Sequence, residues 1–165
     1  MQFDALAMAP LAVQIHVAAA LPALVLGPVA IWRRRRDRLH RLAGRAWVIA
    51  MAVLAGSSFF ITEARQFGPF SVIHILSVLT FCGLWQGLRA IRKGDILAHQ
   101  RAMRGLYMQA LILAGVFTFL PGRRMNALLF SQSPQVGFWV MMAIGLCALW
   151  LIWREGRRIQ PPRMQ

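Results

Sequence analysis

Carboxylates are scarce in this chain. Of 165 residues only five are Asp or Glu, against 19 Lys or Arg, and the formal net charge is +14. None of the acids lies inside an apolar run. Hydrolysis by paired carboxylates, or by a nucleophile with its base, therefore finds no constellation here. Cysteine is limited to Cys82 and Cys147, without a CxxC spacing, which excludes a disulfide framework and a zinc knuckle. Both cysteines lie in apolar stretches and are expected as small core residues. Lysine is reduced to Lys93, so the basic charge is carried almost wholly by arginine.

Hydrophobic residues make up 58% of the chain, and the mean hydropathy is +0.55. Soluble domains are about 45–50% apolar. The basic residues fall in groups: Arg33, Arg34, Arg35, Arg36, Arg38, Arg41 and Arg45; then Arg89, Arg92, Lys93, Arg101 and Arg104; then Arg154, Arg157, Arg158 and Arg163. Between them lie apolar stretches nearly free of charge. A nucleic-acid binder arrays its charge along a folded surface; here the groups punctuate membrane-length segments. The positive-inside rule accounts for them, and no nucleic-acid partner is expected.

A bilayer-crossing helix needs roughly 20 mostly apolar residues. Five candidates follow: Pro10 to Trp32, Ala46 to Thr62, Val72 to Ile91, Gly105 to Leu120 and Gly137 to Trp153. The second and fourth are short and can extend backward through residues 38–45 and 98–104, their arginines snorkelling to the headgroups. The first lacks the basic flank of a signal peptide, with only Asp4 charged before it, and is read as retained. Its Pro22, Gly27 and Pro28 predict a kink, tolerated where neighbours satisfy the freed carbonyls. The fold class expected is all-α integral membrane: one transmembrane domain over residues 1–165, in a bacterial cytoplasmic membrane. The N-terminus lies outside, and the arginine loops and C-terminus lie in the cytoplasm.

The chain also matches itself. Ile15-His16 pairs with Ile73-His74, and residues 40–47 pair with 99–106. Ala55-Gly56 and Ala114-Gly115 each follow the second histidine by fifteen residues. Residues 10–62 and 72–121 thus read as two parallel two-helix repeats forming a four-helix bundle, with the fifth helix an addition. All four histidines occupy equivalent places. His16 and His74 stand near the outer helix ends, His40 and His99 near the inner ends, on diagonal helices of an up-down bundle. A lone histidine at a helix end is commonly an interfacial residue, but intramembrane ionisable groups are functional candidates. The cofactor that suits such pairs is b-type haem, whose iron takes imidazole axially. His16 and His74 are the first candidates for haem iron, and His40 and His99 a second pair. The outer pair is set in apolar sequence, where an unpartnered imidazole is costly; the inner pair sits among arginines and water. By helix rise the two layers lie about 20–25 Å apart.

Two resemblances follow. Residues 40–47, Ser57-Ser58-Phe59-Phe60-Ile61, residues 70–77, the run His99 to Tyr107 and residues 114–123 together resemble a bacterial family of predicted multi-pass membrane proteins of unknown function. That resemblance covers nearly the whole chain and implies no activity. The alternation of histidines on four successive helices resembles transmembrane dihaem b-type cytochromes, and implies haem ligation at those four residues. The departure is that His40 and His99 stand in basic, near-interfacial runs.

No single reaction is legible in the sequence. Electron transfer, with a quinone as exchange partner, is one reading. A non-catalytic subunit or assembly factor of a larger membrane complex is another. A transporter or proton relay using the histidines is a third, weakened by the lack of acids at midplane. Gly56, Gly115, Ala55, Ala114 and the Gly83–Gly87 spacing are read as helix-packing positions. Residues 121–126 read as a turn carrying two arginines. Trp32, Trp47, Trp139, Trp150 and Trp153 read as interface anchors, and Trp85 as core.

Overall fold

The computed structural model describes residues 8–33, 35–61, 72–109, 121, 126–127, 130 and 132–158. Among them are five helices and no strand: α1 Leu11–Trp32, α2 Arg38–Ser58, α3 Val72–Arg92, α4 Ile96–Leu106 and α5 Pro134–Arg158. The chain divides into two compact units, residues 1–111 and 112–165.

In the first unit α1 packs chiefly on α2, α3 on α4, and α2 on α3, while α1 and α4 meet only lightly. The neighbours therefore run in chain order around the bundle. Helix α2 begins at Arg38 and α4 at Ile96, so both extend back through the basic runs as expected. Asp37 starts α2 by accepting from the His40 amide, and Asp95 starts α4 by accepting from the Ala98 amide. These satisfy donors that the first turn of a helix leaves orphaned. Gly94, at φ +78°, lets Asp95 donate back to the Ala90 carbonyl and closes α3 within three residues of the start of α4.

Helix α1 is the one described helix long and apolar enough to cross a membrane on length and composition alone. Arginines inside α2 and α3 hold back their apolar character. The buried face of α1 is a stripe of small residues, Ala19, Ala23, Gly27 and Ala30, while Leu21 and Val25 are 61% and 67% exposed. Small residues inward and large apolar residues outward is the pattern of helices that associate in lipid, where close backbone approach replaces the hydrophobic effect. The core that α1 helps enclose contains Trp47, Met51, Leu54, Leu84, Met103 and Leu106.

Three expectations are corrected. Trp47 is 1% exposed and belongs to the core, whereas Trp85 is 60% exposed with the Arg89 guanidinium 5.0 Å from its ring centroid. Cys82 and Cys147 are exposed. Both sides of a lipid-facing helix are apolar, so an apolar neighbourhood does not tell a core position from one on the outer face.

In the second unit Asn126 is fully buried rather than at the surface of a loop. Its side chain and the ring of Phe130 occupy the place where a Cβ on Gly137 would stand. Trp150 is exposed under Arg154, 5.3 Å from its ring, and Trp139 is exposed. The second half of the fourth expected span, Ala114, Gly115, residues 62–71 and 122–125, and the side chain of Trp153 lie outside the described residues.

Candidate functional site

Among the described residues of α1 to α4, side-chain hydrogen bonds between helices lie toward the two ends of the bundle and, through Tyr107, at its middle. At the end where α2 finishes, His16 of α1 lies against Ser57, Nδ1 to Oγ 3.2 Å. The Ser57 hydroxyl donates to the Leu54 carbonyl at 3.0 Å. While the Ser57 proton stays on the Leu54 carbonyl, Ser57 can only accept, and His16 would donate from Nδ1. The lone pair of His16 then resides on Nε2. One residue on, Ser58 meets Ser77 of α3, hydroxyl to hydroxyl. His74 sits on the same end, its ring edge-on to Phe59 with centroids 5.6 Å apart. Phe59 in turn stacks on Phe81. His16 and His74 thus both border the C-terminal end of α2, from opposite neighbours of that helix.

At the basic end His99 of α4 donates from Nδ1 to the Gly87 carbonyl of α3, 2.8 Å away. A carbonyl only accepts, so this ring too keeps its lone pair on Nε2. The contact is possible because Gly87 is buried and bare: a Cβ there would stand 1.9 Å from the Met103 methyl. Gly83, one turn earlier, takes Leu106 in the same way. The Gly83–Gly87 spacing therefore packs α3 on α4, as expected. His40 occupies the first turn of α2. Its Nδ1 is buried without a hydrogen-bond partner, so the expectation that this pair is bathed in water does not hold for it. Outside the helices Arg33 pairs with Asp37 through two nitrogens. That bond, with the His40 amide, holds the Asp37 carboxyl well below the usual carboxylate range and raises Arg33.

The middle of the bundle carries one polar bridge. Pro28 has no amide hydrogen, so α1 cannot complete the bond to the Leu24 carbonyl four residues back. The Tyr107 hydroxyl, from the helical residues that continue α4 past Leu106, donates to that carbonyl at 3.1 Å. Its ring lies over Gly27, edge-on to Trp32 at 5.6 Å and tilted against Trp47 at 6.5 Å. Helix α1 runs unbroken through Pro22 and Pro28.

The family model described as "Predicted membrane protein (DUF2306)" matches residues 13–153. The chain belongs to this family. DUF2306 names a membrane location and no activity, in agreement with the family resemblance read from the sequence motifs. None of the curated proteins and none of the solved structures matches the chain.

Sequence reasoning on this DUF2306 member singled out the four histidines but missed Asp37, Asp95, Ser57 and Tyr107. An Asp three or four residues before His40 and His99 was a legible cap signal. The pairing of Tyr107 with Pro28 had no local signal, since 83 residues separate Tyr107 from Leu24. Among the described residues no three His, Cys, Asp or Glu side chains gather to hold a metal ion. A closed site of four protein ligands is therefore not built there. Imidazoles with a free Nε2 suit a centre that takes one or two axial ligands, which is what haem iron requires.

Proposed function

We propose that this DUF2306 protein is a five-span protein of the bacterial cytoplasmic membrane that holds b-type haem on its histidines and moves electrons across the bilayer. The observation that carries the reading is the state of His16 and His99. Nδ1 of His99 donates to a carbonyl and Nδ1 of His16 is engaged by the Ser57 hydroxyl, so in both rings Nε2 is the nitrogen left to act as a ligand. Metal-bound imidazoles are commonly held in this way, the second nitrogen donating to a carbonyl or another acceptor. His16 with His74 would hold one haem near the outer end, and His40 with His99 a second near the basic end. Bound there, haem supplies reversible one-electron chemistry at iron. The protein's own part is to fix the rings, exclude water with the core around Trp47 and Met51, and keep the layers apart. A quinone is the exchange partner that a membrane location makes accessible.

The two-repeat arrangement and the outward N-terminus belong to the same proposal. Matched histidines on α1 and α3, and on α2 and α4, support the first; arginine-rich links at one end of the bundle support the second. The test is an oxidised and dithionite-reduced visible spectrum of protein purified from haem-sufficient cells. A b-type α-band that is lost in His16→Ala and His74→Ala is the expected result. Wild-type protein without haem absorption would overturn the electron-transfer reading and leave the subunit or assembly role.

A further inference from the structure

Helix α3 turns one face toward its neighbours and leaves the other uncovered among the described residues. Ser77, Thr80, Leu84 and Gly87 are buried, and α3 packs on α2 and α4. On the opposite side of the helix stand Ile75, Leu79, Cys82, Gln86 and Arg89, all exposed. They are spaced by four, three, four and three residues, the repeat of a seam between two helices. A wholly apolar outer face would be met by lipid alone. Gln86 breaks that pattern. Its amide enters none of the described hydrogen bonds, and it lies six residues before Arg92, about 9 Å inside the basic end of α3. With α3 crossing the bilayer, that depth is hydrocarbon, where two N–H donors and a carbonyl find no water. Arg89 is better placed. It is closer to the basic end, and its guanidinium lies over the Trp85 ring beside the seam.

We infer that α3 pairs with α3 of a second copy of this chain, parallel and about a twofold axis along the membrane normal, with the two Gln86 amides bonded to each other. A primary amide is its own complement: each carbonyl oxygen accepts from the other's N–H, so two bonds close between identical groups. Two copies inserted the same way are related by such an axis, which brings like residues to the same depth and makes the contact isologous. A different partner would have to carry both a donor and an acceptor to that one level. The rest of the seam permits the approach. Cys82, one turn from Gln86, is small enough for two backbones to come close, and Ile75 and Leu79 supply apolar packing toward the outer end. A single polar residue in such a seam fixes its register and the number of helices. The inference rests on α3 crossing the membrane, which belongs to the functional reading, and not on haem.

Oxidation of full-length Cys147→Ser protein with copper phenanthroline in native membranes, read as dimer on a non-reducing gel, tests the pairing. Helices packed about 8–10 Å apart, with Cα atoms about 2.3 Å from each axis, hold facing Cα atoms roughly 4–6 Å apart, within disulfide reach. A dimer linked through Cys82 is therefore expected. Gln86→Leu, an exposed change that leaves the core alone, should raise the dimer dissociation constant about three- to thirtyfold, the worth of the interhelical hydrogen bonds lost. Fluorescence energy transfer on dilution with lipid measures that constant, and Gln86→Asn, which keeps an amide, should raise it less. With both native cysteines replaced by serine, Ile75→Cys should crosslink. Thr80→Cys on the buried face, and Leu21→Cys on α1, exposed but off the seam, should not. No dimer through Cys82, equal crosslinking from Leu21→Cys, an intrachain link between Cys82 and Cys147 in the wild type, or a dissociation constant not raised by Gln86→Leu would each overturn the pair. A crosslinked dimer without a haem band would leave it standing while the electron-transfer reading fell; a haem band in a protein that stays monomeric would do the converse.

Discussion

Glycines in this protein are not interchangeable, and the difference lies in what faces each one. A Cβ on Gly27 would meet Tyr107 ring atoms at 2.2 and 2.3 Å, with Trp47 behind. Both are stiff and held by other contacts, so the clash cannot be relieved by a rotamer change. At Gly87 the obstacle is the terminal methyl of Met103, which can swing aside. At Gly44 nothing lies within 4 Å. Gly27→Ala is therefore expected to destabilise by about 1–3 kcal/mol, the range for overpacking. Gly87→Ala should cost less, and Gly44→Ala should be neutral or gain roughly 0.5–1 kcal/mol from helix propensity. Thermal unfolding in one detergent ranks the three; equal losses at Gly27 and Gly44 would contradict the packing described. A second residue-scale outcome concerns Asp37. Its carboxyl is held below its ordinary range by Arg33, so the contribution to stability is present above the usual carboxylate pKa and is lost as pH falls through the lowered one. Wild type and Asp37→Asn should differ most near neutral pH and converge in strong acid. Added salt should shrink the gap, because the pair is exposed. A gap that widened on acidification would refute the sign.

Helices reveal how much the sequence disclosed. The expected helices met α1 and α3 to within a residue and α5 to within five, because runs of apolar residues bounded by arginine and proline mark ends well; α2 begins eight residues before Ala46, in the basic run through which an extension was expected. Faces were harder. Trp47 and Trp85 were assigned the wrong way round, and Cys82 was expected inside. In a soluble protein polarity separates the outward face from the inward one; beside lipid both are apolar, and the distinguishing property becomes size. The Ala19, Ala23, Gly27, Ala30 stripe was the available clue to the inner face of α1. The histidines could be found because they are polar in apolar surroundings, but their hydrogen-bond states depend on Ser57 and Gly87, distant in sequence. The bridge from α4 to α1 makes a prediction at this scale. Tyr107→Phe should cost about 0.5–1.5 kcal/mol, the worth of one hydrogen bond. In a Pro28→Ala background, where the residue-28 amide can reach the Leu24 carbonyl, the same substitution should cost little. A double-mutant cycle on unfolding free energy measures that coupling; additive losses would show that the hydroxyl does not serve the carbonyl Pro28 leaves open.

For the whole molecule, charge asymmetry is the organising property. Eighteen arginines and one lysine set against five acids cannot be neutralised internally, so most of that charge must meet water or lipid phosphate. A reporter fused after Gln165 is expected to be active only in the cytoplasm, and one inserted in residues 62–71 only on the outer side; the reverse pattern would overturn the topology. The Tyr107 bridge has a further consequence that concerns time. Helix α1 is made before α4, and its Leu24 carbonyl waits for a hydroxyl 83 residues downstream. At about 5–20 residues per second of synthesis that wait is roughly 4–17 seconds. During it, an α1 already inserted in the membrane would hold an unanswered oxygen in hydrocarbon. Nascent chains halted before Tyr107 should then be the ones that membrane quality control removes, and those halted shortly after it the first to survive.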